Sequence, residues 1–188
     1  MTSRVIPWPW FLRNIAVGAC LGGIYGGLHD QVSWALSREY FTRFKFDQFA
    51  WADVGLAPQA FASLVGVLAT WWAGAIAAYV VSRMAFRHAF SGGPAAWPLR
   101  RVVVHLLFVL GAAVLGGLLG EAYAQFRQPD VERLWSGWRH YGGVEDLAAF
   151  ARVGYIHNFG YGGALVGIVS AALWVRRQGR RAALQAQG

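Results

Sequence analysis
The chain holds one cysteine, one lysine and nine acidic residues in 188 positions. Cys20 stands alone inside an apolar run, so neither a disulfide nor a thiolate metal cluster can form within the chain. The lone Lys45 follows no glycine-rich phosphate loop, which removes a Walker-type nucleotide site. His-Glu-x-x-His and Gly-x-Ser-x-Gly are missing as well, so the zincin and serine-hydrolase readings have no support. Charged residues make up 14% of the chain, against about a quarter in an average soluble domain.

In place of charge the sequence has hydrocarbon and glycine: 56% of residues are hydrophobic, with 24 Gly and 10 Trp. Four apolar runs stand out, over 14–36, 60–82, 102–126 and 153–175. Each is long enough to cross about 30 Å of hydrocarbon as a helix. The expected fold is therefore all-α, a polytopic membrane protein of four transmembrane helices in one domain. Val17-Gly18-Ala19-Cys20 loosely resembles a lipoprotein processing site. Arg13 and Asn14 leave too short an apolar core ahead of it, so the first run is read as a retained helix.

The net charge of +8 invites a nucleic-acid partner, but its distribution argues against one. Ten arginines and no acids fall in three segments: before run 1 (Arg4, Arg13), between runs 2 and 3 (Arg83, Arg87, Arg100, Arg101), and after run 4 (Arg176, Arg177, Arg180, Arg181). Such asymmetry places both termini in the cytoplasm, which in a bacterium means a multi-pass protein of the inner membrane. The basic patches then face anionic lipid heads. The expected partner is the bilayer, with a second copy or a larger membrane complex as candidate associates.

Run 1 carries two small-residue ladders, Gly18-Gly22-Gly26 and Gly23-Gly27, which in lipid let another helix approach closely. Run 3 contains Leu115-Gly116-Gly117-Leu118-Leu119-Gly120, matching Leu21–Gly26 of run 1 at an offset of half the chain, as two duplicated hairpins would. Between runs 1 and 2, aromatic and charged residues nearly alternate from Ser37 to Phe49. That pattern suits a segment lying half in and half out at the membrane surface, with an edge strand as the rival. The inner loop 83–101 should turn at Gly92-Gly93-Pro94. Pro129-Asp130 should open a short helix broken by Gly142-Gly143, and Glu145-Asp146 should start a helix running into run 4.

Polar residues interrupt the runs at matching depth. His29 and Asp30 lie past the middle of run 1, Glu121 likewise on run 3, and His157 with Asn158 about a turn into run 4. Counting at 1.5 Å per residue puts all of them about 6–10 Å from their helix centres toward the same face. Charge at such depth needs partners, so these residues should meet in the bundle interior, opening to the outer face. The facing assigned to Glu121 follows Gly117, Glu121 and Gln125. His29, Asp30, Glu121 and His157 form a candidate set of ligands for a divalent transition metal (Zn, Mn or Fe), with Gln31, Glu39, Tyr40, Asn158 and Tyr161 in support. No Glu-x-x-His pair is present, which counts against a ferritin-like di-metal site.

Three other readings use the same residues. Chained Asp, Glu and His groups relay protons in carriers, which makes a proton-coupled small-molecule carrier one alternative. Bis-histidine haem between His29 and His157 is a weaker one, because it leaves the carboxylates unexplained. In the last, the cluster only locks helix packing, as in a non-catalytic subunit of a membrane complex. His88 and His105 suit interfacial or capping roles at the inner side, and His140 a solvated loop. Glu39-Tyr40 is read either as a lid over the site or as plain surface.

The segments His29-Asp30-Gln31-Val32-Ser33-Trp34, Glu39-Tyr40-Phe41-Thr42, Phe44-Lys45-Phe46 and His157-Asn158-Phe159-Gly160-Tyr161-Gly162-Gly163 resemble a group of bacterial four-helix membrane proteins with no established activity. The resemblance implies topology and no reaction. It also implies that His29, Asp30, Gln31, Glu39, Tyr40, His157 and Asn158 belong to one shared feature.

Overall fold
The computed structural model describes residues 7–88 and 97–185. The expected turn at Gly92-Gly93-Pro94 and the lead-in position Arg4 lie outside the described residues. Among those described, the chain is helical with no strand, so the edge-strand alternative falls.

Four long helices, α1 (Trp8–Leu36), α2 (Pro58–His88), α3 (Leu99–Arg127) and α5 (Leu147–Gln185), alternate with short connections. All four are long and apolar enough to cross a membrane. Each extends beyond the run that announced it, because helical hydrogen bonding does not stop where hydrocarbon-length apolarity does. Prolines set several starts: Pro7 precedes α1, Pro58 opens α2, and Pro98 precedes α3. Amphipathic α4 (Val131–Gly142) follows a 3-10 turn over Gln128–Asp130. It ends at Gly143, whose φ of 63° is a left-handed cap that a side chain would oppose. Asp146 then caps α5, with the Ala149 N–H donating to its Oδ1 at 3.0 Å. Glu145 and Asp146 thus sit just ahead of the helix they were expected to begin.

The helices pack as two hairpins, α1 with α2 and α3 with α5. A Cβ on Gly18, Gly22 or Gly26 would run into the backbone of Gly74, Thr70 or Gly66 respectively. Gly116 and Gly120 meet Phe159 and Tyr155 in the same manner, and Gly163 meets Ala112. Backbones this close gain dispersion contact, which is the main attraction available between helices surrounded by hydrocarbon. Thr70 adds polar ties by donating to the carbonyls of Gly22 and Gly66, each at 2.7 Å.

Two apolar cores fill the ends. Near the termini, Trp10, Phe11, Val81, Phe86, Trp97, Val102 and Val175 pack together, with Asn14 Nδ2 donating to Ser82 Oγ at 3.1 Å beside them. At the opposite end Tyr40, Phe41, Val144, Leu147, Phe150 and Val153 form the second core. Ile24, Leu28, Trp71, Leu118, Leu165 and Val166 stay exposed on the outer flanks, as lipid-facing positions would be.

The connection between α1 and α2 folds over the bundle end through a wide five-residue turn, Phe41–Lys45. Tyr40, Phe41 and Lys45 turn inward, while Thr42 and Arg43 face out. Phe46 continues the cover, with ring centroids 4.7 Å from Phe61 and 6.0 Å from Trp34. The alternation of aromatic and charged residues reads as period two in the sequence, but helical turns sort the same residues at spacings of four.

Candidate metal centre
Asp30 is the hub of the site. It follows Gly22 and Gly26 at four-residue spacing on the face of α1 that packs against α2. His29 Nδ1 lies 3.2 Å from Asp30 Oδ1, and His157 Nε2 of α5 lies 3.6 Å from the same oxygen. The imidazole rings of His29 and His157 meet edge to face at 4.6 Å. One donor atom from each of these three residues falls within 4.8 Å of the others, as metal ligands must. Asp30 and His157 are almost fully buried, at 3% and 4% exposure.

A shell of hydroxyls and rings surrounds the three. Ser33 Oγ is 3.0 Å from His157 Nε2, and the Tyr161 hydroxyl is 3.4 Å from its Nδ1. Tyr40 lays its ring 5.0 Å from that of His157, and Tyr25 lies 5.5 Å from His29. Tyr40 therefore takes the covering role. Burial raises the pKa of the Tyr40 phenol, with the Tyr161 and Asp30 charges adding, so it stays neutral. Lys45 reaches in from the same turn, its Nζ 5.4 Å from the Phe44 ring. Burial lowers the pKa of its ammonium, and the Asp30 charge opposes that shift.

The structure does not bring every expected residue here. Glu121 turns away from the cluster. Its carboxylate is held by Arg152, at 2.6 Å from both Nε and the outer guanidinium nitrogen, and by Gln125 Nε2 at 2.8 Å. The cause is the Leu-Gly-Gly-Leu-Leu-Gly stretch, which carries two glycine rows one residue apart. Gly116 and Gly120 make the seam with α5, while Gly117, in line with Glu121, meets only Ile156 at 3.6 Å or more. One residue is a rotation of about 100°, and that is enough to turn Glu121 off the facing assigned to it. Gln31 is also elsewhere: its Nε2 donates to Gln59 O at 2.9 Å and Ser63 Oγ at 2.6 Å, tying α1 to the start of α2. Asn158, one residue past His157, is rotated onto the exposed side of α5. Glu39 instead accepts from the backbone N–H groups of Glu145 and Asp146, at 3.0 and 2.8 Å, and so pins the covering turn to the start of α5. His105 is buried between Trp97 and Trp174, with Nδ1 2.6 Å from Arg101 O, so it serves packing near the termini.

Lys45 and Ser33 are the site neighbours that the sequence did not single out. The signal for Lys45 was present: one lysine among phenylalanines, four residues after Phe41. Below the cluster a cavity of about 470 Å³ runs between the hairpins. All its ionisable lining groups (Tyr25, His29, Asp30, Lys45, His157 and Tyr161) gather at one end, and Leu106, Val109, Ala77 and Ile168 line the other. The haem reading gains nothing from this geometry. Axial imidazoles flank a macrocycle, and rings 4.6 Å apart leave no slot for one. Comparison with family models, curated proteins and solved structures finds no match to this chain.

Proposed function
We propose that this chain is a membrane metalloprotein whose His29, Asp30 and His157 hold one divalent transition metal, zinc first among them, facing the interhelical cavity. The single observation carrying this reading is the pair of donor separations around Asp30, 3.2 and 3.6 Å. In a tetrahedral zinc site with bonds of about 2.0–2.1 Å, neighbouring ligand atoms stand about 3.3–3.4 Å apart. Three protein ligands would leave a fourth position for water or substrate, as in catalytic sites, and all three residues line the cavity. Tyr161, on the other ring nitrogen, is the outer group that orients His157, whereas the Ser33 hydroxyl bonds Nε2 itself and gives way to a bound metal. The carrier alternative is less well supported, because a proton relay needs further titratable steps and the far end of the cavity lining has none. The arginine distribution supports placing both termini in the cytoplasm, with the site toward the outer face, and the resemblance of the four quoted segments to bacterial membrane proteins supports a bacterial inner membrane.

The test is elemental analysis of protein purified through a tag without histidines, in mild detergent, after zinc supplementation and dialysis. One metal per chain is expected in the wild type, with loss in His29→Ala and His157→Ala. Wild-type protein without stoichiometric metal, whose melting is unaffected by zinc, manganese or ferrous iron, would leave the cluster as a packing device and end the proposal.

A further inference from the structure
We infer that the cavity beneath the cluster seats a single-chain amphiphile with an anionic oxygen head. The head lies at Lys45 and the His29/Asp30/His157 group, and the tail runs between the hairpins toward Leu106 and Ile168. This deepens the metalloprotein reading by naming the molecule that would meet the fourth position, but it draws on separate observations. The first is shape. The lining spans Gly18 to Asp30 on α1, about 18 Å at helical rise. A volume of about 470 Å³ spread over that length gives a mean cross-section of about 26 Å², wide enough for one extended hydrocarbon chain. At about 1.2 Å per bond of extended chain, the length takes about fifteen bonds.

The second observation is the one-ended polarity already described. A tail with one polar terminus fits such a lining, whereas a sugar or peptide would leave its polar groups unmatched against Leu and Val. The third is charge. Among the described residues Lys45 is the one lysine or arginine lining the cavity, and with a divalent metal it outweighs the single carboxylate of Asp30. The head that balances this excess is anionic. The fourth is access. Trp72, Tyr161 and Leu165 line the cavity yet are 51%, 50% and 64% exposed, so the cavity opens sideways onto the lipid-facing flank. A lipid-borne molecule enters there without crossing water.

Tetradecanoate carrying a diazirine at its methyl end is the probe, used on full-length protein in phosphatidylcholine nanodiscs and read by peptide mass spectrometry. Labelling should fall on Leu106, Val109 or Ile168. Excess tetradecanoate or tetradecyl phosphate should compete, and tetradecyltrimethylammonium should not. Whichever anion competes at lower concentration tells a fatty acid from a phosphate lipid. Ala73→Phe should block the tail path and abolish labelling with metal content intact. Ala164→Phe on the opposite wall repeats the test should the first variant fold poorly. Lys45→Met should weaken competition at least tenfold. Labelling spread over Leu118 and Val166 without competition, or equal competition by the cationic analogue, overturns the inference. If wild-type protein lacks metal but labelling is competed by the anions and weakened by Lys45→Met, the tail path and the Lys45 contact stand, and the metal reading falls with the charge excess drawn from it. If metal is stoichiometric and labelling is not competed, only this inference falls.

Discussion

Replacing Gly26 by alanine tests the packing that holds Asp30 in place. In an unobstructed helix the change would stabilise by about 0.8–1.0 kcal/mol through propensity. Here the new methyl would overlap the Gly66 carbonyl oxygen and Thr70 Oγ1. One obstacle is backbone, which cannot swing aside, and the other already donates to two carbonyls. Against backbone that cannot move, the upper part of the overpacking cost, about 2–3 kcal/mol, applies, so after the propensity gain the net loss should be about 1–2 kcal/mol. For a chain of this length that is a melting point lower by about 2–8 °C. Gly117→Ala is the matched control. Its methyl would meet Ile156 Cγ2 at 3.6 Å, an ordinary contact, so propensity should win and raise the melting point by about 2–4 °C. Gly66→Ala carries the effect into the site, because its methyl would stand 3.0 Å from the Asp30 Cβ as well as against Gly26. That variant should lose metal affinity in addition to stability. Thermal unfolding followed by tryptophan fluorescence in one fixed detergent gives all three values. If Gly26→Ala melts at or above wild type while Gly117→Ala melts below it, the assignment of seam and flank is wrong.

Glu121→Gln should leave metal content unchanged and cost about 1 kcal/mol or less, since its ion pair with Arg152 is partly exposed; loss of metal in this variant would return Glu121 to the site. Glu39→Ala removes the acceptor for two N–H groups at the start of α5, and should cost about 1–2 kcal/mol. Hydrogen exchange at 144–150 should then accelerate, and unchanged protection would show that Glu39 is mere surface. The buried Lys45 gives a pH signature. Its folded-state pKa is held below the ordinary 10.5, so between the lowered value and 10.5 the unfolded chain binds the extra proton. Stability therefore rises with pH through that window. Lys45→Met should flatten the rise in melting point measured up to about pH 9, where the unfolded Tyr40 phenol is still about nine-tenths protonated and the folded one, raised further, is neutral. A wild-type profile already flat there would place the ammonium in water.

Sequence alone determined the number of long helices, their antiparallel order and the place of each polar interruption along its helix. These are sums along one dimension: twenty apolar residues span a bilayer whatever their neighbours, and 1.5 Å per residue converts position into height. His29, Asp30 and His157 come together in agreement with that count. Azimuth was another matter. In Leu115–Gly120 two glycine rows compete for the seam, and only the contact of Gly116 and Gly120 with α5 decides that Glu121 faces Arg152. The covering turn was hidden for a like reason. Tyr40, Phe41 and Lys45 are inward because the mouth of the bundle leaves room for them. Which way a side chain points depends on what the rest of the molecule places opposite it, and no local count contains that.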